Sequence, residues 1–100
     1  MKRYQGSRLN HVLSVTVDGE PLCPRLDLGN HSPSGFEWGY GGSGPAQLAL
    51  ALLADALGDD DTAWSLHQDF KRNVVAILPR AGWTLTEHEI RRSVESLART

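Results

Sequence analysis

The sequence predicts a small α+β domain in which an antiparallel sheet, made of a β-hairpin and a short third strand, packs against three helices. Three observations predict this fold: alternating apolar and polar residues near the N-terminus, an almost wholly apolar helix in the middle, and two amphipathic helical segments after it. One hundred residues, 40% of them hydrophobic, suit a single domain over residues 1–100. We expect the apolar helix to be central and buried, because no face of it is polar enough for water.

The strands are predicted from alternation and turn signals. Apolar residues alternate with polar ones over residues 13–17, and the turn pair Asp18–Gly19 then predicts a hairpin. Its second strand, around residues 20–23, should be short and lie at an edge, because proline cannot donate to a sheet ladder. A third strand is predicted at residues 83–85, and the residues from 24 to 35 are predicted to form an irregular connection.

The helices are predicted from their end signals. The first should begin within residues 43–45, where proline is tolerated in the first turn, and end near Gly58. The second is predicted from about residue 62 to residue 78, and a capping-box pattern at residues 86–89 opens the third. The apolar stripe predicted for the second helix consists of Ala63, Trp64, Phe70, Val74, Ile77 and Leu78.

A segment rich in glycine and aromatic residues runs directly into the first helix. Free backbone N–H groups and the helix dipole favour an anion at such a helix start, although the Gly-Lys-Ser/Thr ending of a phosphate loop is missing. Trp38 and Tyr40 have the same parity in an extended chain and are predicted to form one flat aromatic surface. The candidate binding residues are Glu37, Trp38, Tyr40, Gly42, Ser43 and Gly44.

The same segment has a second interpretation, in which it serves packing rather than binding. Its glycines would let the helix approach the sheet, and the aromatic side chains would fold over the helix start. At least one of the two neighbouring rings, Trp38 or Tyr40, would then belong to the core. The solvent exposure of these rings distinguishes the two interpretations.

Composition argues against several classes of protein. The formal net charge of -2 indicates neither a strongly basic nucleic-acid surface nor an acidic DNA mimic. Cys23 is the one cysteine, which fits a reducing compartment, so we expect a cytoplasmic protein. The longest apolar run, residues 48–54, is far shorter than the roughly 20 residues that a membrane-spanning helix needs, so no membrane association is expected.

The sequence contains no complete catalytic or metal-binding set. The four histidines do not fall at metal-ligand spacings, and one cysteine cannot complete a structural zinc set, so neither a metal nor a cofactor is expected. His31 and Glu37 flank the loop and would form an acid–base pair if folding brought them together. No catalytic residue is predicted, so the sequence favours a protein that is not an enzyme.

Residues 31–53 resemble a family of small uncharacterised proteins from bacteria and their phages. They include the run GFEWGYGGSGPAQLALALL, and the resemblance extends over most of the chain through residues 70–75 and 83–85. It implies a shared fold and a phage or mobile-element context. Since the family has no assigned activity, the resemblance transfers no catalytic residue.

Three functions follow, in order of preference. The first is a non-enzymatic interaction module that binds a protein partner or a second copy of itself, as a homodimer, through the Gly/aromatic loop. The alternative is a domain that binds a small anionic ligand or a nucleotide at the start of the first helix, with Trp38 or Tyr40 stacked on it. Nucleic-acid binding is third, because it requires Lys71–Arg72 and Arg91–Arg92 to converge on one face with the N-terminal cations.

Overall fold

The computed structural model describes residues 1–32 and 35–98, so Pro33 and Ser34 of the predicted connection lie outside the described residues. The described chain forms an antiparallel sheet in the order β3-β2-β1-β4 together with helices, which confirms the predicted α+β class. The elements are β1 (Arg3–Leu9), β2 (Val12–Val17), β3 (Glu20–Pro21), α1 (Ser43–Leu57), α2 (Asp60–Asn73), a short 3-10 helix (Val75–Ile77), β4 (Gly82–Thr86) and α3 (Glu87–Ala98).

Strand β1 is absent from the sequence prediction, although it lies in the middle of the sheet between β2 and β4. The core-facing positions of β1 hold Tyr4, Gly6 and Arg8, so they do not show the apolar alternation that marks a strand. The turn that joins β1 to β2 has positive φ at Asn10 (51°) and His11 (67°), which matches the twist of a two-residue hairpin. The predicted hairpin at Asp18–Gly19 is confirmed as the β2–β3 pair.

Helix α1 is central and buried, as predicted. Every residue from Gly44 to Ala56 is buried except Asp55. The α1 side chains share one core with residues of the sheet, and α1 also packs against α2 and α3. Gly58 ends the helix in the left-handed conformation (φ 64°), so the predicted end is confirmed as well.

Helix α2 is shorter than predicted. Asp59 caps its start by accepting a hydrogen bond from the Thr62 N–H at 3.2 Å. At the other end, Val74 leaves the helical region (φ -124°, ψ -60°), and the chain continues as the 3-10 helix rather than to residue 78. Consecutive β-branched residues at this point lower the helix propensity, which favours an early end.

The apolar stripe predicted for α2 is also partly wrong. The buried face of the helix consists of Ala63, His67 and Phe70, a spacing of four and then three residues. Trp64 is half-exposed instead, and Ile77 lies beyond the helix with its side chain in solvent. The buried stripe therefore passes through a histidine, which a purely apolar pattern cannot reveal.

Helix α3 begins with the predicted capping box. The Thr86 N–H donates to the Glu89 carboxylate at 2.9 Å, and the Glu89 N–H donates to the Thr86 hydroxyl at 3.1 Å. Among the residues described, no helix is both long enough and apolar enough to cross a bilayer.

Candidate functional site

The Gly/aromatic loop, residues 35–42, lies between the end of β1 and the segment that leads into β4. Arg8 links all three parts, because its Nε donates to the carbonyl oxygen of Arg80 at 3.0 Å and its guanidinium forms an ion pair with Glu37 at 2.8 Å. We call the surface of these three parts the loop surface: Arg8, residues 35–42 and residues 75–81.

Glu37 lies over the first turn of α1. Its Cβ is 2.6 Å from the position that a Cβ on Gly44 would occupy, so any larger residue at position 44 would displace it. The Glu37 carboxylate also accepts a hydrogen bond from the Trp38 N–H at 2.9 Å. The Arg8 guanidinium, followed by this N–H, holds the pKa of Glu37 below its usual range. Glu37 is therefore charged and held in place.

Trp38 is fully buried, and its indole N–H donates to the carbonyl oxygens of Pro79 and Arg80, both at 3.1 Å. The Arg8 guanidinium lies 5.3 Å from the ring centroid, and Trp83 meets the ring edge-on at 5.7 Å. Trp38 is thus a core residue that anchors the loop.

Tyr40 remains at the surface, with 45% of the residue exposed. The predicted flat surface of two rings is therefore wrong, because Gly39 has φ 86° and breaks the extended alternation between Trp38 and Tyr40. The Tyr40 ring lies against Gly42, where an added Cβ would come within 2.7 Å of a ring carbon. Tyr40 folds over the start of α1, as the packing interpretation expects, and still presents half of its surface to solvent.

The N-terminus of α1 has no side-chain cap. Gly42 is the N-cap residue, no side chain bonds to the cap, and the first turn contains no acidic residue. Ser43 is exposed and Gly44 is buried beneath Glu37. The structure thus brings the six predicted binding residues together around one helix start, with Trp38 directed inward and the others around it.

The predicted acid–base pair of His31 and Glu37 does not form. His31 Nε2 lies 2.9 Å from Nε2 of His67, while Glu37 pairs with Arg8. Burial, with a smaller contribution from the charge of His31, lowers the pKa of His67. The helical spacing of His67 behind Ala63 is the sequence signal that could have placed it on the inner face of α2.

Gln47 is a buried polar residue whose structural role the sequence analysis missed. Its fully buried carboxamide accepts hydrogen bonds from the N–H groups of His31 (2.8 Å) and Ser32 (3.2 Å) and donates to the carbonyl oxygen of Pro24 (2.6 Å). One α1 side chain therefore fixes the connection that carries His31. A lone polar residue in an apolar helix is the signal for such a role.

Two cavities lie away from the loop surface. One, of about 430 Å³, is lined mainly by small polar residues of the outer sheet face, such as Ser14, Thr16 and Thr84. The other, of about 220 Å³, lies between α2 and α3. None of the predicted binding residues lines either cavity.

The architecture thus defines a small α+β domain built around one enclosed helix, with a glycine-rich loop packed over the start of that helix. A family of unknown function, DUF6166, matches residues 4–96, and the chain belongs to this family. No curated protein and no solved structure matches the chain. The match confirms the prediction that the chain belongs to an uncharacterised family.

Proposed function

We propose that this protein is a small cytosolic, non-enzymatic interaction module that binds a protein partner, or a second copy of itself, through the loop surface. The observation that carries the proposal is the exposure of large apolar side chains on that surface, where water contact is unfavourable and a partner would remove it. These side chains are Tyr40 (45% exposed) and Ile77 (76%).

The backbone beneath these side chains is held in place, which supports a binding role. The Gly39 N–H donates to the carbonyl oxygen of Val75 at 3.1 Å, and the Trp38 indole joins the loop to the segment before β4. Anchor residues on a fixed backbone lose little conformational entropy when they bind. The ion pair of Arg8 and Glu37 places both signs of charge beside them, as at the polar rim of many interfaces.

The biological setting is part of the same proposal. The resemblance to proteins of bacteria and their phages supports a phage or mobile-element context, in which the partner would be a host replication or defence protein. This part of the proposal rests on the resemblance alone. The choice of surface rests on the exposed side chains.

A small anionic ligand is the second candidate, because the start of α1 offers N–H groups without a capping side chain. Trp38 has no stacking role in this version, since it is buried, and Tyr40 is the ring beside the site. A thermal-shift titration with inorganic phosphate and with nucleotides tests it, because a ligand that binds only the folded state raises Tm. An unchanged Tm with every anion would contradict it.

Nucleic-acid binding has less support than either candidate. Cationic side chains that would meet phosphates are instead paired with carboxylates: Lys2, Arg8, Arg25, Arg72 and Arg91. Binding to a nucleic acid would weaken steeply as the salt concentration rises, whereas an apolar protein interface would not.

Site-specific photo-crosslinking tests the preferred function. A photoreactive phenylalanine analogue replaces Tyr40 in one sample and Leu26 in the matched control, since Leu26 is exposed to a similar extent (41%) but lies outside the loop surface. Purified protein over a range of concentrations tests self-association, and an extract of the cells that express it tests other partners. We expect a discrete adduct from position 40 that is absent from position 26.

A second test of the proposed function uses the double variant Tyr40→Ser with Ile77→Ser. Neither side chain is buried in the core, so the far-ultraviolet circular dichroism should keep its wild-type shape and Tm should fall only by the lost packing of Tyr40 on Gly42, while partner capture falls at least tenfold. Equal crosslinking from positions 40 and 26, or capture that survives the double substitution, would contradict the proposed function.

A further inference from the structure

Two histidines from distant parts of the chain meet beside the ring of Trp64, where the connection before α1 packs against α2. His31 comes from the connection before α1 and His67 from α2, and their ring centroids are 5.0 Å apart. The Trp64 indole is stacked parallel to His31, with 5.9 Å between centroids and 6° between the planes. His67 is buried, while His31 and Trp64 are reached by solvent.

The hydrogen bonds define which nitrogen atoms face each other. The Nδ1–H of His67 donates to the carbonyl oxygen of Trp64 at 2.6 Å, which leaves Nε2 of His67 as a hydrogen-bond acceptor. The Nε2 atom of His31 lies 2.9 Å from Nε2 of His67. His31 is therefore protonated on Nε2 and donates this hydrogen bond to His67. The amide nitrogen of Gln68 lies 3.3 Å from the same His67 nitrogen and donates to it as well, so a metal ion bound to this nitrogen would replace both donors.

This arrangement has the features of a metal-binding histidine pair. Histidine ligands in proteins commonly donate the second ring nitrogen to a backbone carbonyl or carboxylate, which orients the ring and fixes its tautomer, as Trp64 does for His67. Metal–nitrogen distances of about 2.0–2.1 Å place two tetrahedral ligand atoms roughly 3.3 Å apart. The two Nε2 atoms, at 2.9 Å, would need to separate by only about 0.4 Å and tilt.

We propose that His31 and His67 form a two-histidine site for a divalent transition-metal ion of the imidazole-preferring class, Cu²⁺, Ni²⁺ or Zn²⁺. Both ligands bind through Nε2, and the proton on His31 Nε2 moves to Nδ1 of the same ring, so both imidazoles stay neutral. His31 is the residue that shifts, since its ring sits on a connection, whereas His67 is held by its helix. Cu²⁺ should bind most tightly of the three, as the general order of affinities requires.

The coordination sphere would be open. Within residues 1–32 and 35–98, no group of three or more His, Cys, Asp or Glu side chains is placed to hold an ion. Water would therefore fill the other positions, so the ion would exchange with solvent instead of being permanently enclosed as in a structural zinc site. The histidines are 36 positions apart, which is why no ligand motif is visible in the sequence.

Calorimetric titration of the untagged wild-type protein with CuCl₂ tests the site, together with electron paramagnetic resonance of the Cu²⁺-loaded sample. We expect one ion per chain and a spectrum with nitrogen coupling from two imidazoles. The variant His31→Ala should bind Cu²⁺ at least tenfold more weakly. The matched control His88→Ala removes an exposed histidine on α3 and should bind like the wild type.

A second variant separates loss of the ligand from damage to the fold. His31→Gln keeps a polar group beside His67 but supplies no imidazole, so it should retain the wild-type Tm and still lose the tight Cu²⁺ binding. Wild-type affinity in His31→Ala or in His31→Gln would overturn the proposal. Equal loss in His88→Ala would also overturn it, because binding would then be spread over the surface histidines.

Discussion

At the scale of single residues, several glycines mark places where a side chain lies directly on the backbone. Gly6 is the clearest example in the sheet, because the Trp83 indole covers it and a Cβ there would come within 2.3 Å of the ring. Gly44 plays the same part for Glu37 at the start of α1. The sequence analysis anticipated this role for the glycines of the loop, but it had no signal for Gly6 because β1 was not predicted.

The variant Gly6→Ala should lose roughly 1–3 kcal/mol of unfolding free energy, because the indole of Trp83 must move out of a packed position. Urea unfolding followed by circular dichroism measures the loss. Gly41→Ala is the matched control, since an added Cβ at Gly41 meets nothing within 4 Å. Equal stabilities of the two variants would contradict the packing described for Trp83.

Glu37 gives a prediction about pH. Arg8 and the Trp38 N–H hold its pKa below the usual range, and Arg80 adds a smaller attraction. A carboxyl whose pKa is lowered by folding stabilises the fold above its unfolded-state pKa, about 4.3, and loses this contribution as the pH falls through the folded-state pKa. Glu37→Gln should therefore be less stable than the wild type at pH 7, by about 1 kcal/mol.

The difference in stability should shrink as the pH falls below about 4.3 and through the lowered folded-state pKa of Glu37, because the wild-type carboxyl then takes up a proton. Urea unfolding at several pH values measures it, with Glu95→Gln as the control, because Glu95 is exposed on α3. A difference that stays constant over this range would show that the charge of Glu37 is not what stabilises the loop.

At the scale of elements, the C-terminus of α1 is stabilised by its neighbours. Its last turn contains no basic residue. Arg91 of α3 donates to the carbonyl oxygen of Ala56 at 2.7 Å, and Lys2 forms an ion pair with Asp55 at 3.3 Å. Both cations oppose the partial negative charge of the helix end, so α1 depends on residues that are distant in sequence.

Arg91→Ala should lower the unfolding free energy by about 0.5–1.5 kcal/mol, because it removes the charged hydrogen bond to the Ala56 carbonyl and the ion pair with Glu87. Arg92→Ala is the natural control, since the neighbouring arginine is exposed and the change in composition is identical. Thermal unfolding measures the Tm of the two variants, and we expect the Tm of Arg91→Ala to be the lower one. Indistinguishable Tm values would mean that the bond to Ala56 contributes nothing to stability.

The sequence predicted those elements whose own residues carry the signal. Helix α1 has its apolar run and Gly58, and α3 has its capping box. Strand β1 has no such signal, because two of its core-facing positions hold Gly6 and Arg8, whose contacts are with residues distant in the sequence such as Trp83 and Glu37. In the same way, the burial of Trp38 depends on the backbone turn at Gly39, and the partner of His31 comes from α2, 36 positions away.

At the scale of the whole molecule, the fold is an enclosure for α1. The sheet, α2 and α3 surround it, and the loop that carries the proposed binding surface is packed on its first turn. A helix buried on nearly all sides cannot exchange its amide hydrogens until the surrounding elements separate. The α1 amides should therefore open only when the whole domain unfolds.

Native-state hydrogen exchange, read by NMR residue by residue, tests this central claim most directly. We expect the amides of residues 47–56 to be the slowest in the chain, with opening free energies equal to the global unfolding free energy from urea. Residues near the C-terminus of α3 should exchange by local fraying. If the α1 amides exchanged as fast as those of α3, the helix would not be the enclosed centre of this domain.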